Sequence, residues 1–218
     1  MKVSVLLPVY NTKIEYLHDC FNSIFMQTHK NYEVIVIDNG STNTDTLEYL
    51  NKIKKDNVKI YRTERQGNKN NLSIALNYGL TKCENEFVAR MDADDIMLST
   101  RLESQVNYMK NNAKIDILGG QYVNIEDASI SKLPEFLSRE VIDKRAFFIS
   151  HPTVMFRKSK ILEIGGYLEE SSLCNDSGYF PEDLELWLRA YKSGLILRNC
   201  QSIVLLYRRN NDEKLSKT

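Results

Sequence analysis

Four short apolar runs, separated by three stretches whose apolar residues recur at helical spacing, fill the chain from Val3 to Met91. Val3 to Val9 reads as a strand that Pro8 stops. Residues 13–27 place Ile14, Leu17, Phe21, Ile24 and Phe25 on one helical face. Tyr32 to Ile37 barely alternates, the mark of a strand buried on both faces. Asp45 to Lys54 is helical, Val58 to Tyr61 a strand, Leu72 to Leu80 a helix, and Phe87 to Met91 a fourth strand. Strand and helix units of about 25–30 residues imply right-handed crossovers and a parallel sheet, so the fold class is α/β.

The second half is less regular. Arg101 to Lys110 and Glu140 to Phe148 read as helices. Ile115 to Val123 reads as a strand bent at Gly119-Gly120, and Thr153 to Arg157 as another. Residues 124–135 are a polar loop, and the Gly, Ser, Asn and Asp-rich stretch from Gly165 to Pro181 reads as a mobile one. Leu184 to Tyr191 is a helix, followed by strands at Leu195–Leu197 and Ile203–Tyr207, and the polar tail from Arg208 is expected to fray.

Composition narrows the function classes. The 29 Lys and Arg balance 29 Asp and Glu, whereas a dedicated nucleic-acid binder carries a basic excess. Cys20, Cys83, Cys174 and Cys200 lie far apart without CxxC or zinc spacing, which fits reduced, mostly buried thiols. Met1 to Pro8 is too short for a signal peptide's apolar region. No run approaches the roughly 18 apolar residues of a membrane span. A cytoplasmic protein is the expectation, meeting any membrane-bound molecule peripherally at the inner face.

In an open parallel sheet, ligands collect beyond the carboxyl ends of the strands. Three strand ends carry polar clusters: Pro8-Val9-Tyr10-Asn11, Asp38-Asn39-Gly40-Ser41-Thr42-Asn43 and Asp92-Ala93-Asp94-Asp95. Tyr10 alone reads first as packing. The Asp38 segment alone reads equally as a turn followed by a helix N-cap at Ser41 or Thr42. The third cluster is sharper, because three carboxylates within four residues repel unless a cation or protons neutralise them. Such hard oxygen ligands suit Mg2+ or Mn2+ sharing its shell with phosphates, and a solvated acidic loop is the alternative.

A second acidic site opens the late helix. With the stripe of Leu184, Trp187, Leu188 and Tyr191 facing inward, Glu182 points nearly opposite it, whereas Asp183 lies about 70° from its centre. Asp183 is therefore the carboxylate at the rim of the packed face, where partial desolvation raises a pKa and suits a base. Glu182 is expected at the surface, and Glu185 with Arg189 forms an i, i+4 pair. His151, before a strand, reads first as structural, with a metal or diphosphate role as the alternative. His18 and His29 read as surface residues.

Taken together, Pro8-Val9-Tyr10-Asn11, Val36-Ile37-Asp38-Asn39-Gly40-Ser41-Thr42, Gln66-Gly67 through Ala75-Leu76-Asn77-Tyr78-Gly79, Arg90-Met91-Asp92-Ala93-Asp94-Asp95, His151 to Arg157 and Glu182 to Arg189 resemble the family 2 glycosyltransferases in order and spacing. These are inverting sugar-nucleotide enzymes of the GT-A fold. The resemblance runs from about residue 2 to about residue 208. It implies a Rossmann-like, mostly parallel central sheet flanked by helices, with a smaller mixed C-terminal acceptor-side region. Residues 1–95 would bind the nucleotide sugar, and 96–218 the acceptor and base, within one continuous domain.

By that resemblance Pro8, Tyr10, Asn11, Asp38, Asn39, Asp92, Ala93, Asp94 and Glu182 would surround a nucleotide-diphosphate sugar. Tyr10 would lie against the base, Asp38 would hydrogen-bond it, and Asp92 would contact the ribose or sugar. Asp94, with Asp92 and His151, would hold Mn2+ or Mg2+, and Asp183 would be the catalytic base. Asn39 replaces the second acid of the family's usual Asp-Asp-Gly-Ser, and no QxxRW motif follows the late helix. The implied activity is a single, non-processive transfer from a UDP-type sugar to a hydroxyl of a glycan or lipid-linked glycan acceptor. Two rivals are weaker. A nucleotidyltransferase needs a glycine-rich phosphate loop after the first strand, and a dehalogenase-type phosphatase carries its DxD there instead of after the fourth. A sugar-nucleotide binding module without catalysis stays open at this point.

Overall fold

The computed structural model describes residues 1–67, 69–143, 148–170 and 181–209. The apolar runs become strands β1 (Val3–Val9), β2 (Tyr32–Asp38), β3 (Val58–Arg62) and β4 (Phe87–Arg90), joined by helices α1 (Ile14–Phe25), α2 (Thr44–Lys52) and α3 (Asn71–Lys82). All of their pairings with one another are parallel. Every residue of β1 and β2 is buried because helices cover both faces. Alternate residues go to opposite layers. Val3, Val5, Leu7 and Val9 pack with Leu17, Phe21 and Ile24 of α1. Leu6 packs on the other face with Ala75, Leu76 and Leu80 of α3. That contact needs Gly79, where a Cβ would overlap Leu6 Cδ1 and stand 3.1 Å from Ile37 Cγ1.

The second half adds β5 (Ile96–Met97), α4 (Arg101–Asn111), β6 (Ile117–Asn124), α5 (Arg139–Asp143), β7 (Met155–Arg157), α6 (Lys158–Glu163), α7 (Glu182–Lys192) and β8 (Leu197–Tyr207). The sheet order is β3-β2-β1-β4-β7-β6-β8-β5. β7 runs antiparallel between β4 and β6, and β8 lies parallel to β6 with register shifts around Gly119–Tyr122, at the expected bend.

Several local expectations are corrected. The helix expected at Glu140–Phe148 is the short α5, and residues 144–147 lie outside those described. His151–Thr153 forms a 3-10 turn with Pro152 inside it, so the strand expected from Thr153 begins at Met155. The two late strands are the single β8, whose exposed Gln201 and Ser202 interrupt the apolar pattern without interrupting the strand. α2 is capped by Asn43, whose Oδ1 accepts from Thr46 N at 2.9 Å, and not by Ser41 or Thr42. The fraying expected from Arg208 does not hold at its start, because Arg208 and Arg209 are both hydrogen-bonded into the body of the chain. The start of the expected mobile loop is anchored, Gly165 and Gly166 by backbone hydrogen bonds to α6 and Tyr167 by Asn77, and its remainder, 171–180, lies outside the described residues together with Cys174. Cys20, Cys83 and Cys200 are free and buried. Among the described residues no helix is long and apolar enough to cross a membrane.

Candidate active site

The carboxyl ends of β1 and β2 meet in one interlocked rim. Asp38 Oδ1 accepts from Ser41 N at 2.8 Å, closing a turn in which Gly40 takes a left-handed φ of 74°. Asn11, itself at φ 47°, accepts on Oδ1 from the N–H groups of Thr42 at 2.8 Å and Asn43 at 2.9 Å. Its own N–H donates to Ser41 Oγ at 3.1 Å. Ser41 and Thr42 thus belong to this rim, and α2, which begins at Thr44, takes Asn43 as its N-cap. Asn39 is buried and accepts from Thr63 Oγ1 at 3.3 Å. Arg62 of β3 pairs with Asp38 Oδ2 and donates to the Ser41 carbonyl at 3.0 Å. Tyr10 is 45% exposed, and the Arg65 guanidinium lies 3.9 Å above its ring. The rim thus offers an open aromatic face and a buried carboxylate, each already touching a cation. Pro8 is an internal β1 residue paired with Ile37.

The acidic turn after β4 is held from far along the chain. Arg208 donates its N–H to Asp95 Oδ1 at 2.8 Å and its Nε to the Asp94 carbonyl at 2.9 Å. Its Nη2 reaches Asp19 at 3.0 Å while the guanidinium covers the Tyr16 ring at 4.1 Å. Ala93 and Asp95 are buried, whereas Asp92 and Asp94 are half-buried. Asp95 Oδ2 has no hydrogen-bond partner. Burial first, and then the charges of Asp92 and Asp94, push the Asp95 carboxyl up to about 9. The turn presents hard carboxylate oxygens on the half-buried Asp92 and Asp94, a donor set that suits Mg2+ or Mn2+.

A complete set of protein ligands is not assembled there. Among the described residues no three His, Cys, Asp or Glu side chains are grouped to hold a metal. His151 is not joined to Asp92 and Asp94 in such a group. Its Nε2 lies 2.9 Å from the Tyr167 hydroxyl and its Nδ1 3.7 Å from Glu182 Oε1. Both ring nitrogens therefore face protein partners. An ion at the turn would rely on one or two carboxylates, with water and phosphate oxygens completing its shell.

At the start of α7, Asp183 and Glu182 are each only 9% exposed. The burial of Glu182 corrects the surface position read from the helical wheel. A wheel locates the side facing the helix's own packing partner, and here the 3-10 turn of His151 covers the other side as well. Burial raises the Glu182 carboxyl, but the facing His151 ring and, more weakly, Arg90 outweigh it and bring it down to about 2. Asp183 Oδ1 accepts from Leu184 N at 2.8 Å. Burial, with Glu182 adding to it, holds the Asp183 carboxyl above the ordinary range against the opposing pull of His151.

Arg90 links the two acidic clusters. Its buried guanidinium donates from Nη1 to Asp92 Oδ2 at 2.5 Å. The same charge acts on Glu182 and Asp183, and Asp92, Tyr167 and Glu182 together hold the arginine pKa up against burial. The strand-end acids and the helix acids thus belong to one electrostatic neighbourhood.

The model of glycosyl transferase family 2 matches residues 4–165, which include both strand-end loops and the acidic turn. The chain belongs to glycosyl transferase family 2. The match to the family 2 model stops before α7, so Glu182 and Asp183 stand on the geometry above. Its relatives include the O-antigen biosynthesis glycosyltransferase WbnJ of Escherichia coli, 35% identical over 92% of this chain and 74% of that protein. A UDP-Gal:alpha-D-GlcNAc-diphosphoundecaprenol beta-1,3-galactosyltransferase of the same organism is 29% identical over 94% of this chain and 73% of its own length. The fold matches the crystal structure of Staphylococcus aureus TarS 1-349 in complex with UDP-GlcNAc with a TM-score of 0.76 and 21% identity. That match covers 100% of this chain, which spans 61% of the TarS structure. The family 2 chain accordingly has the GT-A architecture, a mostly parallel sheet flanked by helices.

Arg90, Arg62, Arg65, Tyr167 and Arg208 contact the candidate site residues although no sequence motif of this family 2 chain marks them for it. One signal was available: Arg90 is a lone charge at the end of the apolar run from Phe87, and a buried cation there needs anions around it.

Proposed function

We propose that this chain is a metal-dependent, inverting glycosyltransferase that moves a sugar from a nucleoside-diphosphate donor to a hydroxyl of a glycan or lipid-linked glycan, one transfer at a time. The observation that carries the reading is the pair of acidic clusters, the turn after β4 with Arg90 bonded to Asp92 and the buried Glu182-Asp183 start of α7, whose carboxyls the same arginine weakly lowers. A UDP donor is favoured by the named substrate of the E. coli galactosyltransferase and by the ligand in the TarS structure. Work on a lipid-linked acceptor would place the enzyme at the cytoplasmic face of the membrane.

Residues 1–95 supply the donor side and the elements beyond them the acceptor side and base. Tyr10 offers its open face to the nucleobase once Arg65 gives way, and Asp38, already turned by Ser41 and Arg62, accepts from the base. Asp94 and Asp92 would hold Mn2+ or Mg2+, and the ion would supply Lewis-acid stabilisation of the departing phosphate charge. Asp183, with its pKa raised, accepts the proton of the acceptor hydroxyl as that oxygen attacks the anomeric carbon from the face opposite the leaving group. One displacement inverts the anomeric configuration. The protein places fixed dipoles and charges around the reacting atoms, which lowers the reorganisation needed during transfer.

The test is Asp183→Asn, assayed for sugar transfer and for UDP binding with Mn2+ by calorimetry. Loss of transfer with binding kept supports the assignment; near-normal transfer overturns it. Wild-type protein that binds UDP-sugars without ever releasing UDP would make the chain a binding module.

A further inference from the structure

Resting on the reading of Asp183 as the base, we propose that His151 is a positioning residue that sets the orientation of the first turn of α7, and so aims the Asp183 carboxylate. The imidazole is buried in the 3-10 turn that precedes β7. It touches α7 at two points. Its Nδ1 faces Glu182 Oε1 at 3.7 Å, and its ring stands edge-on to Trp187 with centroids 5.8 Å apart. Five residues separate those contacts, about 7.5 Å along the axis, so together they fix both the tilt and the rotation of the helix start.

The ring is itself held. Tyr167 presents its hydroxyl to Nε2 at 2.9 Å, and the Tyr167 backbone is pinned to α3. Its N–H donates to Asn77 Oδ1 at 2.8 Å, and its carbonyl accepts from Asn77 Nδ2 at 2.8 Å. The preceding Gly166 needs its left-handed φ of 69°, and a Cβ there would stand 2.6 Å from Asn77 Oδ1. Its carbonyl accepts from Arg189 Nη2 of α7 at 2.7 Å, and Arg189 pairs with Glu185 at 2.6 Å. A closed circuit results, running from α3 through the Gly166-Tyr167 turn to His151, then to α7 and back through Arg189. Within it, the bond from Leu184 N to Asp183 Oδ1 fixes the aspartate's rotamer but lies inside its own helical turn. Where that turn points is decided by His151. Its ring nitrogens turn toward Tyr167 and Glu182, and His151 is not grouped with Asp92 and Asp94 as a metal ligand would be.

The experiment compares His151→Ala, His151→Asn, His151→Gln and Tyr167→Phe in the full chain, measuring kcat, donor KM, and UDP binding with Mn2+ by calorimetry. Asparagine keeps a donor near the Nδ1 position facing Glu182, and glutamine extends toward the Nε2 position. The expected result is a kcat loss of about 10- to 100-fold in His151→Ala, the scale set by misaimed catalytic groups. UDP affinity and donor KM stay within about twofold of wild type, and His151→Asn recovers more kcat than His151→Gln. Tyr167→Phe removes one oxygen and lowers kcat by a smaller factor, which keeps the proposal testable if His151→Ala does not fold. Unchanged kcat in the variants overturns the proposal, and so does a loss of UDP and Mn2+ binding in step with kcat, which would make His151 a donor-site or metal residue. Normal transfer by Asp183→Asn would instead sink the underlying assignment of the base.

Discussion

Arg90 and Asp92 lie two residues apart at the end of β4, and the buried guanidinium of the first donates to the carboxylate of the second at 2.5 Å. Residues at that spacing leave an extended backbone on the same face. The arginine also lowers the Glu182 and Asp183 carboxyls, more weakly than His151 does. Arg90→Met keeps the volume and removes the charge. It should lower stability by about 1.5–3 kcal/mol, the scale of a lost hydrogen bond to a charged group. It should also weaken UDP binding with Mn2+. Thermal melts and calorimetry on the same preparation check both.

The pH dependence of transfer should carry the signature of Asp183. Burial, reinforced by Glu182, holds its pKa above the ordinary 3.8. A base acts only when deprotonated, so kcat/KM falls as the pH drops through that raised value. Glu182, brought down to about 2, stays ionised across the same range. Glu182→Gln removes one of the influences raising Asp183 and should shift the acid limb of the profile to lower pH. A shift to higher pH would contradict the assignment.

Asp95 predicts the reverse of ordinary acid denaturation. Its carboxyl goes from 3.8 to about 9 on folding. Between those values the unfolded chain gives up a proton that the folded chain keeps, so stability without metal falls as pH rises. The slope approaches about 1.4 kcal/mol per pH unit at most. Asp95→Asn removes the titration and should flatten the curve of melting temperature against pH in EDTA. Equal slopes for the two proteins would show that the group titrates normally.

Gly79→Ala tests the packing of α3 on the sheet. The added methyl meets Leu6 and Ile37 in the core. Overpacking of this kind costs about 1–3 kcal/mol, visible as a lower denaturation midpoint with little change in slope.

The elements from β1 to β4, and α4 after them, were legible because each buries one face or two, and burial writes a period into the sequence. Val3, Val5 and Leu7 enter one layer while Leu6 enters the other, as a doubly covered strand requires. β5 was not legible, since two residues paired with Leu205 and Leu206 leave no period. The acidic residues of the site were legible as charges in unusual places, but their partners were not. Glu182 looked exposed because nothing local shows that the turn at His151, thirty-one residues earlier, covers it. Arg208 sits in a polar tail by composition, and only the fold brings it across 113 residues to Asp95. The asparagines at 11 and 43 show the same limit, with one side chain organising a neighbouring loop and the other taking over the cap that two nearby hydroxyls had suggested.

β7 completes the hydrogen bonding of β4 and passes the ladder on to β6 and β8. The strand that carries the acidic turn is therefore laced without a gap to the strands beyond it. Among the described residues that ladder offers no break about which one half of the sheet could turn as a rigid lobe, so the two acidic clusters are held in a fixed relation by one continuous backbone network.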